Sequence, residues 1–192
     1  MPRASAADAA RTAERIRDCA LGLFAEHGYA AVALEDVAHA ARVTRGAVYH
    51  HFRNKDGLFR AVAEHLHETV ASRVATAAEK AGPDPEMQLK AGSHAFLEAI
   101  TEASPARILL IDAPAVMGWQ EWRNLDAANS QELLGEALAA AGIEQQRGRA
   151  MTVLLSGAMN EAALWVVHQD SPAVALETAL EGLDHLLTSL LR

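Results

Sequence analysis

Apolar side chains recur at helical spacing along almost the whole chain. The first such stripe consists of Ile16, Cys19, Ala20, Leu23 and Phe24. Apolar positions three and four residues apart predict an amphipathic helix with one face toward a core. Strand-like alternation, a glycine-rich phosphate loop and an internal repeat are all missing from the sequence. The pattern therefore predicts an all-α protein of about nine helices.

Glycine and proline residues mark the predicted ends of these helices. Gly28 follows the first stripe, where a left-handed residue ends a helix. The segment 81–85, Ala-Gly-Pro-Asp-Pro, is the clearest break in the chain, and Pro114 and Gly118 predict a second interruption. Ser171 and Pro172 are typical of a helix start, and they separate the last two predicted helices, 144–169 and 171–191.

Residues 34–53 have the proportions of a helix-turn-helix, with a short helix, a tight turn and a second short helix. Ala38 and Ala41 are small enough for the two helices to cross closely, and Val48 fills the angle between them. Thr44 is predicted to cap the second helix, whose N-terminus favours a phosphate. The face of this helix that the core does not need carries Arg45, Gly46, Ala47, Tyr49 and His50.

The net charge of −8 divides unevenly along the chain. Residues 1–55 contain eight basic and six acidic side chains, whereas residues 56–192 contain nine basic and nineteen acidic ones. This asymmetry is typical of a small nucleic-acid-binding module attached to an acidic body, although variation along an acidic globular protein also produces it.

Four stretches near the N-terminus have apolar, glycine, aromatic and lysine positions in one register. They are Thr12-Ala13-Glu14-Arg15-Ile16, Phe24-Ala25-Glu26-His27-Gly28-Tyr29, Leu34-Glu35-Asp36-Val37-Ala38 and Val43-Thr44-Arg45-Gly46-Ala47-Val48-Tyr49-His50-His51-Phe52, followed by Lys55 and Leu58. Together they resemble the DNA-binding domain of the TetR family of bacterial regulators. The similarity covers about fifty consecutive residues and does not continue as a motif into the C-terminal part.

The resemblance implies a three-helix DNA-binding domain at residues 1–54 and a helical ligand-binding and dimerisation bundle at residues 55–192. By this similarity Thr44, Tyr49 and Lys55 contact phosphates, although Tyr49 also suits a core and Lys55 a solvated surface. Arg45, Ala47 and His50 reach into the major groove, with Gly46 on the same face.

Two positions depart from the family pattern. Arg42 stands where a glycine usually makes the turn, and Arg42 is a candidate for an additional phosphate contact. Ala33 stands where the family often has a capping serine or threonine. Each departure costs on the order of 1 kcal/mol.

The implied function is a transcription regulator, with repression the commoner mode of the family. Its partners would be an inverted-repeat operator in double-stranded DNA, a small-molecule effector that releases it, and a second copy of the chain. The last two helices are the candidate dimer interface because they carry apolar residues beyond the needs of one helix pair. Some of these apolar residues, many of them leucines, would also face the core of their own subunit.

The candidate effector pocket lies around the proline-interrupted segment 107–122, where an irregular helix junction carries aromatic and polar residues. The predicted lining consists of His94, Phe96, Asp112, Met117, Trp119, Trp122, Asn160, Glu161 and Trp165. Each of these residues also suits an ordinary core or a satisfied buried polar site.

Three alternatives remain at this point. A metal sensor could use the nine histidines, but His65 and His67 lie on different helix faces and no Cys/His cluster has ligand spacing. An all-α enzyme lacks a recognisable nucleophile constellation or a helical Glu-x-x-His pair in the sequence, and a helical sensor without DNA binding is disfavoured by Tyr49 and Lys55. We expect no enzyme activity, no metal site, no cofactor and no membrane span, and the single cysteine fits a cytoplasmic protein.

Overall fold

The computed structural model describes residues 6–191, and within them the chain forms nine helices and no strand. They are α1 (Ala6–His27), α2 (Leu34–Ala40), α3 (Arg45–Phe52), α4 (Lys55–Lys80), α5 (Pro85–Ile100), α6 (103–117), α7 (119–140), α8 (Gln145–Val167) and α9 (Pro172–Leu190). The all-α prediction and its helix count are confirmed.

Helices α1–α3 pack around the beginning of α4 to form the N-terminal unit. Its core contains the fully buried Phe24 and Phe59, whose rings meet edge to face at 5.3 Å between centroids. Tyr29 adds a second edge-to-face contact with Phe59 at 5.0 Å. Val37 and Val48 are also fully buried, so α2 and α3 are held by the side chains that the apolar pattern selected.

Helix α4 runs without a break from the N-terminal unit into the C-terminal bundle. Asn54 caps it by accepting a hydrogen bond from the Gly57 amide at 2.7 Å. Gly57 is required here because a Cβ atom would lie 2.2 Å from the Phe52 carbonyl oxygen. Helix α3 therefore joins α4 through a tight turn, and the predicted boundary after residue 54 falls where a helix shared by both units begins.

The C-terminal bundle is built on the long contact between α4 and α5, with α7, α8 and α9 packed around them. Its core includes the fully or almost fully buried Leu89, Leu97, Ile108, Leu109 and Leu138. Helix α8 packs against α9, and both contact α5. The bundle therefore surrounds α5, while one side of the α8–α9 pair faces away from it.

Helix α6 does not end at Pro114, so the predicted interruption there is wrong, and the break falls at Gly118 alone. The helix widens to a π-helical segment at Ala106–Asp112, where the Ala113 amide donates to the Ile108 carbonyl five residues back. In this register the Leu109 carbonyl would face the nitrogen of Pro114, which carries no hydrogen. The indole Nε1 of Trp122 donates to that carbonyl at 2.7 Å instead.

The hydrogen bond from Trp122 predicts a measurable role in stability. Trp122→Phe should lower the free energy of unfolding by about 1–3 kcal/mol, because it leaves the buried Leu109 carbonyl without a partner. Urea unfolding measures this change, with Trp119→Phe as the matched control. Trp119 is exposed, so its variant should stay within about 0.5 kcal/mol of the wild type. Equal losses in the two variants would contradict the role of the hydrogen bond.

Helix α8 is the one helix among the described residues that is long and apolar enough to cross a membrane, judged by length and composition alone. Only 33% of its most apolar segment is buried in the structure. A helix of this kind is weak evidence for a membrane span, since helices that pack on other helices meet the same criteria.

Candidate functional site

The turn between α2 and α3 is closed by two backbone hydrogen bonds. The Val43 amide donates to the Ala38 carbonyl at 2.9 Å, and the Arg42 amide donates to the His39 carbonyl at 3.1 Å. This is the Schellman arrangement, which places a left-handed residue after the helix. Arg42 occupies that position with φ of 53°, as predicted from its place in the motif. Its side chain is exposed and free to point toward a ligand on this face.

Both short helices begin with a hydrogen bond from the capping region. Thr44 Oγ1 accepts from the Ala47 amide at 3.2 Å, which confirms the predicted cap of α3. Ala33 has no acceptor to offer at the start of α2. A capping box has two reciprocal hydrogen bonds, and here only the one made by the residue three positions on is present: Asp36 Oδ2 accepts from the Ala33 backbone amide at 2.8 Å. The missing cap is therefore partly replaced by an acidic residue three positions on.

The outer face of α3 carries the side chains that the sequence selected for DNA. Tyr49 is 64% exposed, and Arg45 and His50 are exposed with it. Gly46 is also exposed and Ala47 is half-buried, so the middle of this face is low and flat. Arg45 Nη1 lies 2.8 Å from Glu35 Oε1 on α2. The structure therefore brings Arg42, Thr44, Arg45, Gly46, Ala47, Tyr49 and His50 together on α3 and the turn before it.

Lys55 is half-buried at the start of α4 and points toward the α1–α2 connection. Its Nζ lies 4.2 Å from the centroid of the Tyr29 ring and donates to the Ala30 carbonyl at 3.3 Å. The Tyr29 hydroxyl is hydrogen-bonded to Asp56. Burial, this hydrogen bond and the negative charge of Asp56 raise the pKa of Tyr29 to about 12. Lys55 thus has a fixed position at the rim of the N-terminal unit.

The N-terminal unit is also tied to α6. The Tyr29 amide donates to Asp112 Oδ2 at 3.1 Å, and Arg107 Nε lies 3.8 Å from the same carboxylate oxygen. The guanidinium of Arg107 packs on Gly28, where a Cβ atom would lie 2.3 Å from its Nη2. Gly28 has φ of 79°, so it ends α1 and also admits this side chain. A movement of α6 would therefore reach the N-terminal unit directly.

A cavity lies inside the bundle between α4, α5, α7 and α8. Its volume is about 90 Å³, counted as the space open to the centre of a water molecule. Apolar side chains form most of the wall, among them Val74, Leu89, Phe96, Leu134 and Met159. The polar lining residues are Gln88, Ser93, Ser130 and Ser156.

A buried carboxylate lies behind one wall of this cavity. Asp126 Oδ2 accepts from the side-chain Nδ2 of Asn160 at 3.3 Å and from the Ser156 hydroxyl at 3.4 Å. Arg123 Nη1 lies 3.2 Å from the same oxygen. Gln131 Nε2 donates to Ser156 Oγ at 3.2 Å. Burial raises the pKa of Asp126, although the charge of Arg123 and the hydrogen bonds oppose the change. The polar groups around Ser156 are therefore already paired with one another.

The structure does not bring the nine predicted pocket residues together. Phe96 lines the cavity, and Asn160 lies behind its wall through Asp126. His94 Nε2 is instead 2.6 Å from Asp184 Oδ1 on α9, and Asp112 holds the Tyr29 amide. Met117 is half-buried outside the cavity lining, and Glu161 is exposed on α8.

The three predicted tryptophans also have different surroundings. Trp122 is buried and hydrogen-bonded to the Leu109 carbonyl, whereas Trp119 and Trp165 are 65% and 45% exposed. The Trp119 ring packs at a tilt against Trp122, with 4.9 Å between the ring centroids, and lies outside the cavity lining. The proline junction is thus a packing joint between α6 and α7.

Sequence reasoning missed the serines of the cavity and the partner of Arg45. Ser93, Ser130 and Ser156 occur in three different helices, and nothing in their local spacing marks them as neighbours. Glu35 precedes Arg45 by ten residues across a turn, a separation at which no helical pairing rule applies. Only the predicted crossing of α2 and α3 could have suggested that pair.

Comparison with protein families gives two matches along the chain. Residues 87–190 match the family described as tetracyclin repressor-like, C-terminal domain. Residues 16–62 match the bacterial regulatory proteins of the tetR family. The first match alone covers more than half of the chain.

Individual curated relatives match over part of the chain. A probable acrEF/envCD operon repressor of Escherichia coli K12 is 44% identical over 59 residues, which are 31% of this chain and 27% of that protein. An HTH-type transcriptional repressor of Mycobacterium tuberculosis is 34% identical over 122 residues, or 63% of each chain. The chain thus spans less than two thirds of the length of these curated relatives.

A solved structure matches over nearly the full length. The crystal structure of a TetR-family transcriptional regulator from Pectobacterium atrosepticum is 28% identical, with a TM-score of 0.78 and coverage of 97% of both chains. The likeness thus includes both the helix-turn-helix and the bundle that contains the cavity.

Proposed function

The chain belongs to the TetR family of bacterial regulatory proteins, and on that premise we propose that it is a homodimeric repressor which binds an inverted-repeat operator and is released by a small molecule. The observation that carries this proposal is the exposed face of α3, where Arg45, Tyr49 and His50 surround the low surface of Gly46 and Ala47. A helix with a low centre and polar edges suits the floor of a major groove.

DNA contact requires one local exchange on this face. Arg45 is paired with Glu35 in the free protein, and both side chains are more than half exposed. An exposed ion pair contributes about 0–1 kcal/mol, so a bidentate contact of Arg45 with a guanine would replace it readily. Arg42, Thr44, Tyr49 and Lys55 are the proposed phosphate contacts, which hold α3 in register without selecting a sequence.

The proposed dimer interface is formed by α8 and α9. Nine large hydrophobic side chains are exposed in the described part of the chain, and five of them lie on these two helices. They are Val153, Leu154, Trp165, Val174 and Leu186. An apolar groove between α8 and α9, lined by Ala158, Ala162 and Gly182, lies on the same side. Three leucines of the same two helices, Leu155, Leu183 and Leu187, are instead buried in the core of their own subunit.

Helix α4 is the proposed link from effector to DNA. Its residues Val74, Ala75 and Ala78 line the cavity, and its first residue, Lys55, follows α3 after a two-residue turn. About 20 helical residues separate these ends, so a change in the tilt of α4 acts on α3 over roughly 30 Å. The contact of Asp112 with the Tyr29 amide gives α6 a second connection to the same unit.

The relatives reported above are regulators, and we accordingly assign this chain a regulatory role in the cytoplasm.

The proposal predicts different DNA-binding defects for two variants. Bound sequences selected from random DNA should contain an inverted repeat, and Arg45→Ala should lose about 1–3 kcal/mol of discrimination between that repeat and other DNA for each half-site. Lys55→Gln should weaken binding to both DNAs alike and reduce the slope of log K against log salt by about 0.9 for each subunit, or about 1.8 for the dimer. Fluorescence anisotropy over a salt series measures both quantities.

Glu68→Gln is the matched control, because it changes an exposed side chain in the C-terminal half of α4. This variant should bind DNA as the wild type does. Selection of no inverted repeat would refute the proposed operator. An unchanged salt slope in Lys55→Gln would remove that residue from the proposed phosphate contacts.

A further inference from the structure

We propose that the effector is a small, uncharged, mainly apolar molecule with one hydroxyl or carbonyl group, and that this group hydrogen-bonds to Ser130 in the cavity. The inference rests on the proposed effector-responsive function and adds the chemical class of the ligand. It is carried by the composition of the cavity wall, its size and the state of one hydroxyl group.

The cavity wall excludes a charged ligand. Within residues 6–191, no Asp, Glu, Lys, Arg or His side chain lines it. An ionised carboxylate or ammonium loses its hydration on entry, and the wall offers no opposite charge in return. Asp126, behind the wall, is already surrounded by Arg123, Asn160, Ser156 and Gln131. A neutral apolar molecule, by contrast, enters such a cavity favourably because its own surface leaves water.

The size of the cavity limits the ligand further. Its volume of about 90 Å³ is smaller than the roughly 150 Å³ of an engineered apolar cavity that binds benzene. At this size it suits at most one ring or a short chain. Larger molecules would have to separate α4, α5, α7 and α8.

Ser130 is a polar residue of the cavity wall whose buried hydroxyl has no partner in the described part of the chain. Ser156 differs, because it already donates to Asp126 and accepts from Gln131. A buried hydroxyl without a partner has lost its hydrogen bonds to water, and a ligand with one matching group would restore one of them.

The local backbone explains why Ser130 is unpaired. Serine and threonine hydroxyls within helices commonly donate to the carbonyl four residues back. In this protein Thr69, Thr101, Thr152, Thr178 and Ser189 all do so. Ser130 does not, and it lies in the π-helical segment Ala127–Gln131 of α7. Such segments change the register of the carbonyl groups and are frequent at functional sites. The widened turn thus leaves the hydroxyl of Ser130, a residue of the cavity wall, without a backbone partner.

Four probes of similar size test this inference on the full-length protein without DNA. Phenol carries a hydroxyl, toluene is its isostere without one, and benzoate and benzylammonium carry opposite charges at pH 7. We expect phenol to bind about 3- to 10-fold more tightly than toluene, as one hydrogen bond predicts. Benzoate and benzylammonium should each bind at least about 10-fold more weakly than phenol. Isothermal titration calorimetry measures the four affinities.

Ser130→Ala should bring the affinity for phenol down to that for toluene and leave toluene unchanged. Ser189→Ala, which alters a helical serine remote from the cavity lining, is the matched control and should preserve the preference for phenol. Ala137→Leu fills the cavity and should abolish binding of both neutral probes, while circular dichroism checks that the helices remain.

Three results would overturn the inference. They are equal or tighter binding of either charged probe, an unchanged ratio of phenol to toluene in Ser130→Ala, and no saturable binding of phenol up to its solubility limit. None of these outcomes alters the operator measurements. Failure of the ligand class and failure of the repressor function are therefore distinguished.

Discussion

Replacing Leu154 with glutamate should dissociate the proposed dimer. Leu154 is 61% exposed on α8, on the apolar side that faces away from the bundle. In a two-fold interface each substitution occurs twice. A buried charge without a partner costs about 3–5 kcal/mol, so two should raise the dimer dissociation constant at least about 1000-fold. Analytical ultracentrifugation over a concentration series measures this constant.

Operator affinity should fall with the dimer, because a single subunit engages only one half-site of an inverted repeat. Leu186→Glu on α9 should act in the same way. Met87→Glu is the matched control, since Met87 is a 51% exposed apolar residue on α5. Its variant should dimerise normally. Wild-type dimerisation by Leu154→Glu and Leu186→Glu would place the interface elsewhere on the molecule.

Acidification should destabilise the protein through His67. This residue is 3% exposed on α4, and neither ring nitrogen has a hydrogen-bond partner among residues 6–191. Burial lowers the pKa of His67 from 6.5 to about 4. Between these two values the unfolded chain binds a proton that the folded chain does not, so stability falls as the pH falls. The loss amounts to about 1.4 kcal/mol per pH unit, or about 3 kcal/mol between pH 7 and pH 4.

Urea unfolding of His67→Leu from pH 7 to pH 4 isolates this contribution. The variant should lose about 3 kcal/mol less than the wild type over this range, and it should be at least as stable at pH 7 because two unpaired nitrogens have been removed. His65→Leu is the matched control, because it removes a half-buried histidine from the same helix. Its loss of stability between pH 7 and pH 4 should stay close to that of the wild type. Parallel pH profiles for His67→Leu and the wild type would contradict a buried neutral imidazole.

The helix-turn-helix was predictable because its determinants are local. Val37 and Val48 are buried at their expected helical positions, Thr44 caps α3, and Arg42 adopts the left-handed conformation that its place in the turn requires. Each of these features depends on residues within one or two turns of the chain. Local propensity and short-range hydrogen bonds therefore decide them before any distant helix is in place.

Pro114 shows where local rules fail. A proline inside a helical pattern ordinarily ends or kinks the helix because it removes one hydrogen bond. Here α6 continues through it, since the π-helical turn shifts the carbonyls and Trp122 supplies the missing donor from the next helix. The compensating group lies 13 residues away from Leu109. A pattern restricted to neighbouring residues contains no information about it.

The cavity in the structure lies away from the pocket expected at the proline junction, again because it depends on residues that are distant in the sequence. Aromatic and polar residues near the proline junction suggested a cavity, yet Trp122 completes α6 and Asp112 holds the N-terminal unit. The cavity instead forms where small and apolar residues of α4, α5, α7 and α8 leave space between them. A cavity depends on how four helices pack together, so the residue types in any one segment do not predict where it forms.

Local chemistry along the chain was thus sufficient for the helices, their caps and the exposed face of α3, because each arises from residues close in sequence. Packing between distant helices decided which leucines of α8 and α9 remain exposed, that Ser130 of the cavity wall lies unpaired, and that Asp112 joins α6 to the connection between α1 and α2. These outcomes depend on the sum of many weak contacts between surfaces, and that sum exists only once the helices have met.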